Sequence, residues 1–172
     1  MKSFKSILFL LLFFCNSANT YATDGTMRED PNLTKTLATL KEKALSIHQN
    51  FPKPPTDADF VRLETNLFEK GGKLPDCLKQ LHFVLGHYII FGVEFPTAHS
   101  TEQKQSEWLD FIRKGYEKNI PKEWLPFCLD GTDFICCHLG THQICYFYNA
   151  SKVKKEKEEY SNLSTWIGKR LL

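Results

Sequence analysis

The stretch from Ile120 to Tyr148, IPKEWLPFCLDGTDFICCHLGTHQICYFY, constrains the fold more than any other part of the chain. Ile120-Pro121 and Leu125-Pro126 push the backbone toward extended structure, because a residue before proline is driven out of the helical region. Asp130-Gly131 is turn chemistry. Phe134 to Leu139 and Gln143 to Tyr148 are rich in aromatic and β-favouring residues, so strands are expected there. Gly140-Thr141 between them suits a two-residue II′ turn with glycine at the first central position. Leu139 would then pair with His142, and the register would set Cys136 opposite Cys145. A non-hydrogen-bonded antiparallel pair has Cα atoms about 4.5 Å apart, within the span of a disulfide. A loop of four residues would pair Cys136 with Phe147 and remove that bond. Two reduced core cysteines are the other reading of the pair.

The flanking sequence reads mostly as helices. Between Asn32 and Asn50, Leu33, Leu37, Leu40, Ala44 and Ile47 recur at helical spacing. That stripe is expected to pack on the domain, with docking to a partner helix as the alternative. Phe51-Pro52-Lys53-Pro54-Pro55 stops the helix and forms a stiff connector. Thr56 reads as an N-cap with Asp59 at the third helical position, followed by Phe60, Leu63, Leu67 and Phe68 at core spacing. Gly71-Gly72 ends this helix. Another begins after Leu74-Pro75 and turns Cys77, Leu78 and Leu81 inward. His87 to Phe95 is a short strand with a break at Gly92. Residues 97–106 form a polar loop, and 107–116 form a helix with Trp108, Leu109, Ile112 and Tyr116 on one side. Leu163, Trp166, Ile167 and Leu171 mark a final amphipathic helix. No internal repeat is visible.

The first residues carry a separate message. Lys2 and Lys5 precede an apolar run from Ile7 to Phe14, and Thr20-Tyr21-Ala22 is a small-residue cleavage site. That is the layout of a secretory signal peptide. The run is too short to span a bilayer, which needs about 20 apolar residues; an uncleaved N-terminal anchor is the competing reading. Phe13-Phe14 argue against lipoprotein processing at Cys15, where small residues would precede the cysteine. The chain therefore divides into a signal peptide (1–22), an N-terminal extension with helix and connector (23–55) and a domain (56–172). The protein is expected to be periplasmic or secreted, with no stable membrane insertion after cleavage. The 150 residues after Ala22 suit one ordinary domain. The formal charge of +2 falls to near zero without Lys2 and Lys5, so net charge points to no polyanionic partner. The basic run Lys152 to Lys157, broken by Glu156, reads as a solvated loop or helix start. Asn32, Asn149 and Asn162 begin N-x-S/T sequons, and Asn162 also suits a helix cap.

Cys77, Cys128, Cys136, Cys137 and Cys145 remain after cleavage, an odd count that leaves at least one thiol free or paired outside the chain; the apolar residues around them suit small core residues. Zinc would accept a cluster of Cys128, Cys136, Cys137, His138, His142 and Cys145, but no C-x2-C knuckle is present. Cys136 and Cys137 are strand neighbours and face opposite sides. The same rule separates Cys137 from His138 as a nucleophile–base pair, which must meet in space. The G-x-S-x-G, H-E-x-x-H, P-loop and G-x-G-x-x-G signatures are absent. No cofactor, no metal and no catalytic residue are expected.

The 120–148 block resembles the SUKH superfamily, also called the Smi1/Knr4-like family. Many members carry I-P-x-x-x-L-P-I-x-x-x-G-x-D-x-I-C-x-x-L before a strand ending in aromatics. Ile120, Pro121, Leu125, Pro126, Asp130, Gly131, Asp133, Phe134, Ile135, Cys136 and Leu139 fall at similar places. Leu74-Pro75 with Cys77, Leu78 and Leu81 looks like the family's L-P helix start; Leu85-Gly86 stands where many members have an N-G-G turn. The resemblance spans roughly Thr56 to Leu172. It implies an α+β fold, an antiparallel sheet with helices packed on one side and at the ends. It also implies a non-catalytic protein-binding domain, like immunity proteins that neutralise polymorphic or contact-delivered toxins. The expected partner is a protein, with a bacterial toxin the implied class. Asp130, Asp133 and His138 near the hairpin ends, with loop 97–106, are the expected contact residues. A secreted or envelope interaction module unrelated to immunity is the alternative, and an enzyme of unknown type is the third class.

Overall fold

The computed structural model describes residues 30–47, 53–68, 71–86, 88–99, 106–148 and 159–172. The elements in chain order are α1 (Leu33–Ile47), α2 (Asp57–Leu67), α3 (Asp76–Leu85), β1 (Tyr88–Ile90), β2 (Val93–Phe95), α4 (Glu107–Glu117), β3 (Trp124–Asp130), β4 (Asp133–His138), β5 (Ile144–Phe147), β6 (Glu159–Tyr160) and α5 (Leu163–Arg170). The strands form one antiparallel sheet in the order β1-β2-β3-β4-β5-β6. The expected α+β class and antiparallel sheet are what the chain adopts. The proposed signal peptide, the basic run 152–157, Asn149 and most of loop 97–106 lie outside the described residues. No described helix is long and apolar enough to cross a membrane.

Phe134, Ile135, Cys136 and Cys137 are all buried. Successive strand residues point to opposite faces, so β4 is covered on both sides. Phe134 meets Phe111 of α4 at a centroid distance of 5.0 Å. Tyr146, the register partner of Ile135, hydrogen-bonds through its hydroxyl to the indole N–H of Trp166 in α5. Helices α4 and α5 therefore lie against opposite faces, which explains a continuous apolar run in place of polar–apolar alternation. Trp166 is fully buried and packs edge-on against Phe127 and Phe95.

The proline-marked segment is a strand in its own right. Pro126 lies within β3, where the missing N–H would break a central ladder. Two features accommodate it. Strand β2 pairs only with Leu129 and Asp130, leaving the Pro126 end of β3 without a strand on that side. The register also shifts between Pro126 and Cys128 at a bulge. Helix α4 closes the gap: the Trp108 indole donates to the Pro126 carbonyl at 2.9 Å. A Cβ on Gly115 would come within 2.6 Å of Pro126 Cγ, so the helix approaches the strand as closely as only glycine permits.

The turns differ from expectation in an informative way. The β3–β4 connection, Asp130-Gly131-Thr132-Asp133, has Gly131 at φ +61 in the first central position, the II′ pattern expected for Gly140. The β4–β5 connection is instead a four-residue loop, 139–142, with His142 at φ +58. It is centred where the two-residue turn would have been, so Cys136 still faces Cys145. The backbone N–H of His138 donates to Gln143 O. Hydrogen-bonded pairs recur at every second position from there, so Cys136 and Cys145 form such a pair, with Cα atoms about 5.5 Å apart rather than about 4.5 Å. Both sulfurs are thiols in the structure. The single strand expected at 87–95 is a hairpin, with Phe91 at φ +51 and Gly92 at φ +83 making its turn.

Helix α2 has the full capping box. Thr56 Oγ1 accepts from Asp59 N, and Asp59 Oδ2 accepts from Thr56 N at 2.8 Å. Helix α1 buries Leu33, Leu37, Leu40 and Ala44 in the common core, and its packing neighbours are α3 and α5. The stripe is thus used within the domain as far as Ala44, whereas Ile47, expected to belong to it, is exposed in the last turn.

Candidate functional site

The register brings two turns to one end of the sheet. Val93 pairs with Asp130, so the Phe91-Gly92 turn that precedes Val93 lies beside the Gly131-Thr132 turn that follows Asp130. Asp130 and Asp133 face each other across the second turn. The C-terminal end of α5 reaches the same place: Arg170 Nη2 donates to Asp130 Oδ2 at 2.8 Å, with both side chains about one-third exposed. Asp130 Oδ2 also accepts from the Tyr146 hydroxyl at 3.4 Å, and that oxygen accepts from the Trp166 indole at 3.2 Å. Burial pushes the Tyr146 phenol up to about 12, so it stays protonated and donates. Arg170 lies 5.2 Å over the Tyr146 ring, and its hydrogen bond to Asp130 strengthens its hold on the proton.

Lys43 of α1 extends the surface. Its ammonium donates to the carbonyls of Leu171 and Leu172 at 3.0 and 2.9 Å, answering the orphan acceptors and negative dipole end of α5. It also lies 4.5 Å over the ring of Phe91. Phe91, Lys43, the C-terminal turn of α5, Arg170 and Asp130 are therefore linked by direct contacts. Phe91 is 53% exposed and Leu172 43% exposed. The chain thus shows an apolar tip beside paired charges, held on rigid elements.

The expected contact residues do not gather at one point. Asp130 and Asp133 stand at the Phe91 end. His138 stands at the other end of β4, five residues away and so about 17 Å along the strand. Its Nδ1 accepts the backbone N–H groups of Gly140 and Thr141, each at 3.1 Å. That ring nitrogen serves as an internal cap for the four-residue loop, and the ring packs edge-on against Trp124 at 4.9 Å. Of loop 97–106, residues 97–99 and 106 are described. His99 Nδ1 contacts the buried Asp59 Oδ2 at 3.2 Å, tying the loop to α2, and Ser106 caps α4.

Among the described residues no group of three or more His, Cys, Asp or Glu could hold a metal ion. Burial raises the thiols of Cys128 and Cys136 well above their ordinary value, so both rest protonated. Lys43, Phe91 and Arg170 had no signal in the sequence, because their meeting depends on where α1, the β1–β2 turn and α5 converge.

A family model described as SUKH_5, SMI1-KNR4 cell-wall, matches residues 33–172. A solved crystal structure of a protein from Pseudomonas syringae pv. tomato matches with a TM-score of 0.59 at 18% sequence identity, covering 78% of this chain and 97% of that one. At that identity the likeness is one of fold. No curated protein matches the chain.

Proposed function

The chain belongs to the SMI1-KNR4 cell-wall family, and from that premise we propose that it is an exported, non-catalytic protein-binding domain that neutralises a toxin. Its partner docks on the sheet end built around Phe91. The observation that carries this reading is the backbone of Phe91. A bulky residue at positive φ costs about 1–3 kcal/mol of local strain, and the ring it holds there is largely exposed. Asn or Gly would make the same turn without that strain. An exposed aromatic on a rigid tip, rimmed by Lys43, Arg170 and Asp130, is the usual make-up of a binding anchor. Export is supported by the layout of Lys2, Lys5, the apolar run and Ala22; the protein then acts in the periplasm or outside the cell, on a toxin directed at the wall or membrane.

The test compares wild type with Phe91→Asn. Tagged proteins are used as bait in envelope and medium fractions, and any stoichiometric partner is purified and titrated. Binding by the variant should weaken at least tenfold with stability unchanged or raised. Protection of cells expressing that partner separates immunity from a secreted interaction module, which would bind without protecting. Equal affinity of wild type and variant would remove the sheet end as the interface.

A further inference from the structure

Strand β1 is one edge of the sheet. The Phe91-Gly92 turn has two residues, both at positive φ, so the hairpin closes on a hydrogen-bonded pair, Ile90 with Val93. Ile89 and Glu94 form the next pair, a non-hydrogen-bonded one. The N–H and C=O of Ile89 therefore point away from β2, and among the described residues neither has a hydrogen-bond partner. Val93 and Phe95 face α5, where Phe95 packs on Trp166, so Ile89 and Glu94 lie on the other face. On that face α4 packs on β3, two strands away. The Ile89 side chain is 56% exposed, and the exposed Glu94 carboxylate beside it has no ion pair among the described residues. Edge strands ordinarily carry charge that discourages further pairing. The far edge follows that rule: β6 contains Glu159 and comes directly after the charged run 152–158. Strand β1, Tyr-Ile-Ile, carries no charge at all.

We propose that β1 is a docking edge: an extended segment of a protein partner pairs with it as an added strand and sets a lysine or arginine opposite Ile89. The chemistry of that residue follows from spacing. Strands lie about 4.8 Å apart, so the residue opposite Ile89 sits about 9.6 Å from Glu94 on the same face. A long basic side chain spans that gap. Its methylene stem covers Ile89 and its charged head reaches the Glu94 carboxylate. Backbone pairing supplies affinity, and the basic residue supplies selectivity. A second copy of the chain fits less well. Stable dimers bury roughly 1,200–2,000 Å², and two three-residue edges fall well short of that. A two-fold pairing would also set Ile89 against Ile89 and leave Glu94 unanswered. The proposal rests on the binding reading and deepens it, since Phe91 follows β1 directly and one partner segment reaches both.

The probe is a displayed library of random linear peptides, panned on the immobilised protein. Enriched peptides should share a lysine or arginine flanked by β-branched or aromatic residues. A synthetic copy should slow exchange of the Ile89 amide, followed by NMR. Methylating the backbone nitrogen of its basic residue removes one hydrogen bond and should weaken binding roughly tenfold, with the protein untouched. Ile89→Pro should weaken it as much, at an outward N–H that the ladder does not use. Glu94→Lys should turn the preference from basic to acidic peptides. Binding that survives Phe91→Asn but not Ile89→Pro upholds the edge and removes the Phe91 anchor; the reverse overturns the edge and keeps the anchor. The proposal is also overturned if no peptide is enriched, if binding is indifferent to N-methylation and to Ile89→Pro, or if sedimentation shows self-association that Ile89→Pro disperses.

Discussion

His82 makes a quantitative prediction about acid stability. It lies on α3 with 1% exposure, and its ring stacks on Trp108 at a centroid distance of 3.9 Å. Neither ring nitrogen has a hydrogen-bond partner among the described residues. Burial alone depresses its pKa from 6.5 to about 3. The unfolded chain binds a proton near pH 6.5 that the folded chain refuses. Stability is therefore fully present above pH 6.5 and is lost as pH falls toward 3, at up to about 1.4 kcal/mol per unit. The loss reaches roughly 2 kcal/mol at about pH 5, a large share of the ~5–15 kcal/mol that holds an ordinary domain folded.

Urea unfolding at about pH 7.5 and about pH 5, for wild type and His82→Phe, isolates this contribution. Phenylalanine keeps the stack on Trp108 and removes both unsatisfied nitrogens. The stability lost between the two pH values should be smaller in the variant by roughly 2 kcal/mol. At about pH 7.5 the variant should be at least as stable as wild type, since an unsatisfied buried polar group costs about 1–3 kcal/mol. Carboxylates titrate alike in both proteins and cancel in the comparison. Equal losses in the two proteins would refute the reasoning, because they would mean the folded imidazole takes up its proton as readily as the unfolded one.

Gly115→Ala should destabilise by about 1–2 kcal/mol in urea unfolding: the clash with Pro126 outweighs the ~1 kcal/mol that alanine normally gains in a helix. Thr56→Ala removes the hydroxyl side of the α2 capping box and should lower stability by about 1 kcal/mol, with Thr56→Ser near wild type. Arg170→Ala should cost no more than ~1 kcal/mol, a cost that shrinks with added salt, because the Arg170–Asp130 pair is part-exposed. The same substitution should weaken partner binding by a larger factor than its stability loss explains, measured by calorimetric titration.

Wherever a local rule dominated, the sequence was legible. The α1 stripe from Leu33 to Ala44, the Thr56 cap with Asp59 and the α4 and α5 core faces follow from periodicity or capping, whereas the Cys136–Cys145 register agrees although the two-residue turn it was argued from is replaced by a wider loop. Strand β3 was harder to read, since Pro126 argues against a sheet position and is accommodated only through the short β2, the bulge and Gly115. The II′ turn was expected at the wrong glycine because Gly131-Thr132 and Gly140-Thr141 are alike locally. His138 decides between them: its ring nitrogen binds two loop N–H groups and stabilises a wider loop at Gly140. The β1–β2 hairpin was hidden because Phe91 is a poor turn residue.

The β1–β2 turn bears on function. Local preferences fail where something other than stability selects the residue. At two other positive-φ positions a stability role is visible: Gly131 makes a tight turn, and His142 closes the loop that His138 caps. Phe91 closes a turn that Asn would close better, and about half of its ring stays in water. The Lys43 contact returns only about 0.5–1 kcal/mol at an exposed site, less than the strain and the exposed apolar area together cost. Burial of the ring against a partner, as proposed, would recover that deficit. Asp130 and Arg170 sit beside it already paired with each other, so a docking surface here would meet a neutralised rim and an apolar centre. This arrangement favours burial of the aromatic as the main source of affinity and leaves the charges to orient the partner.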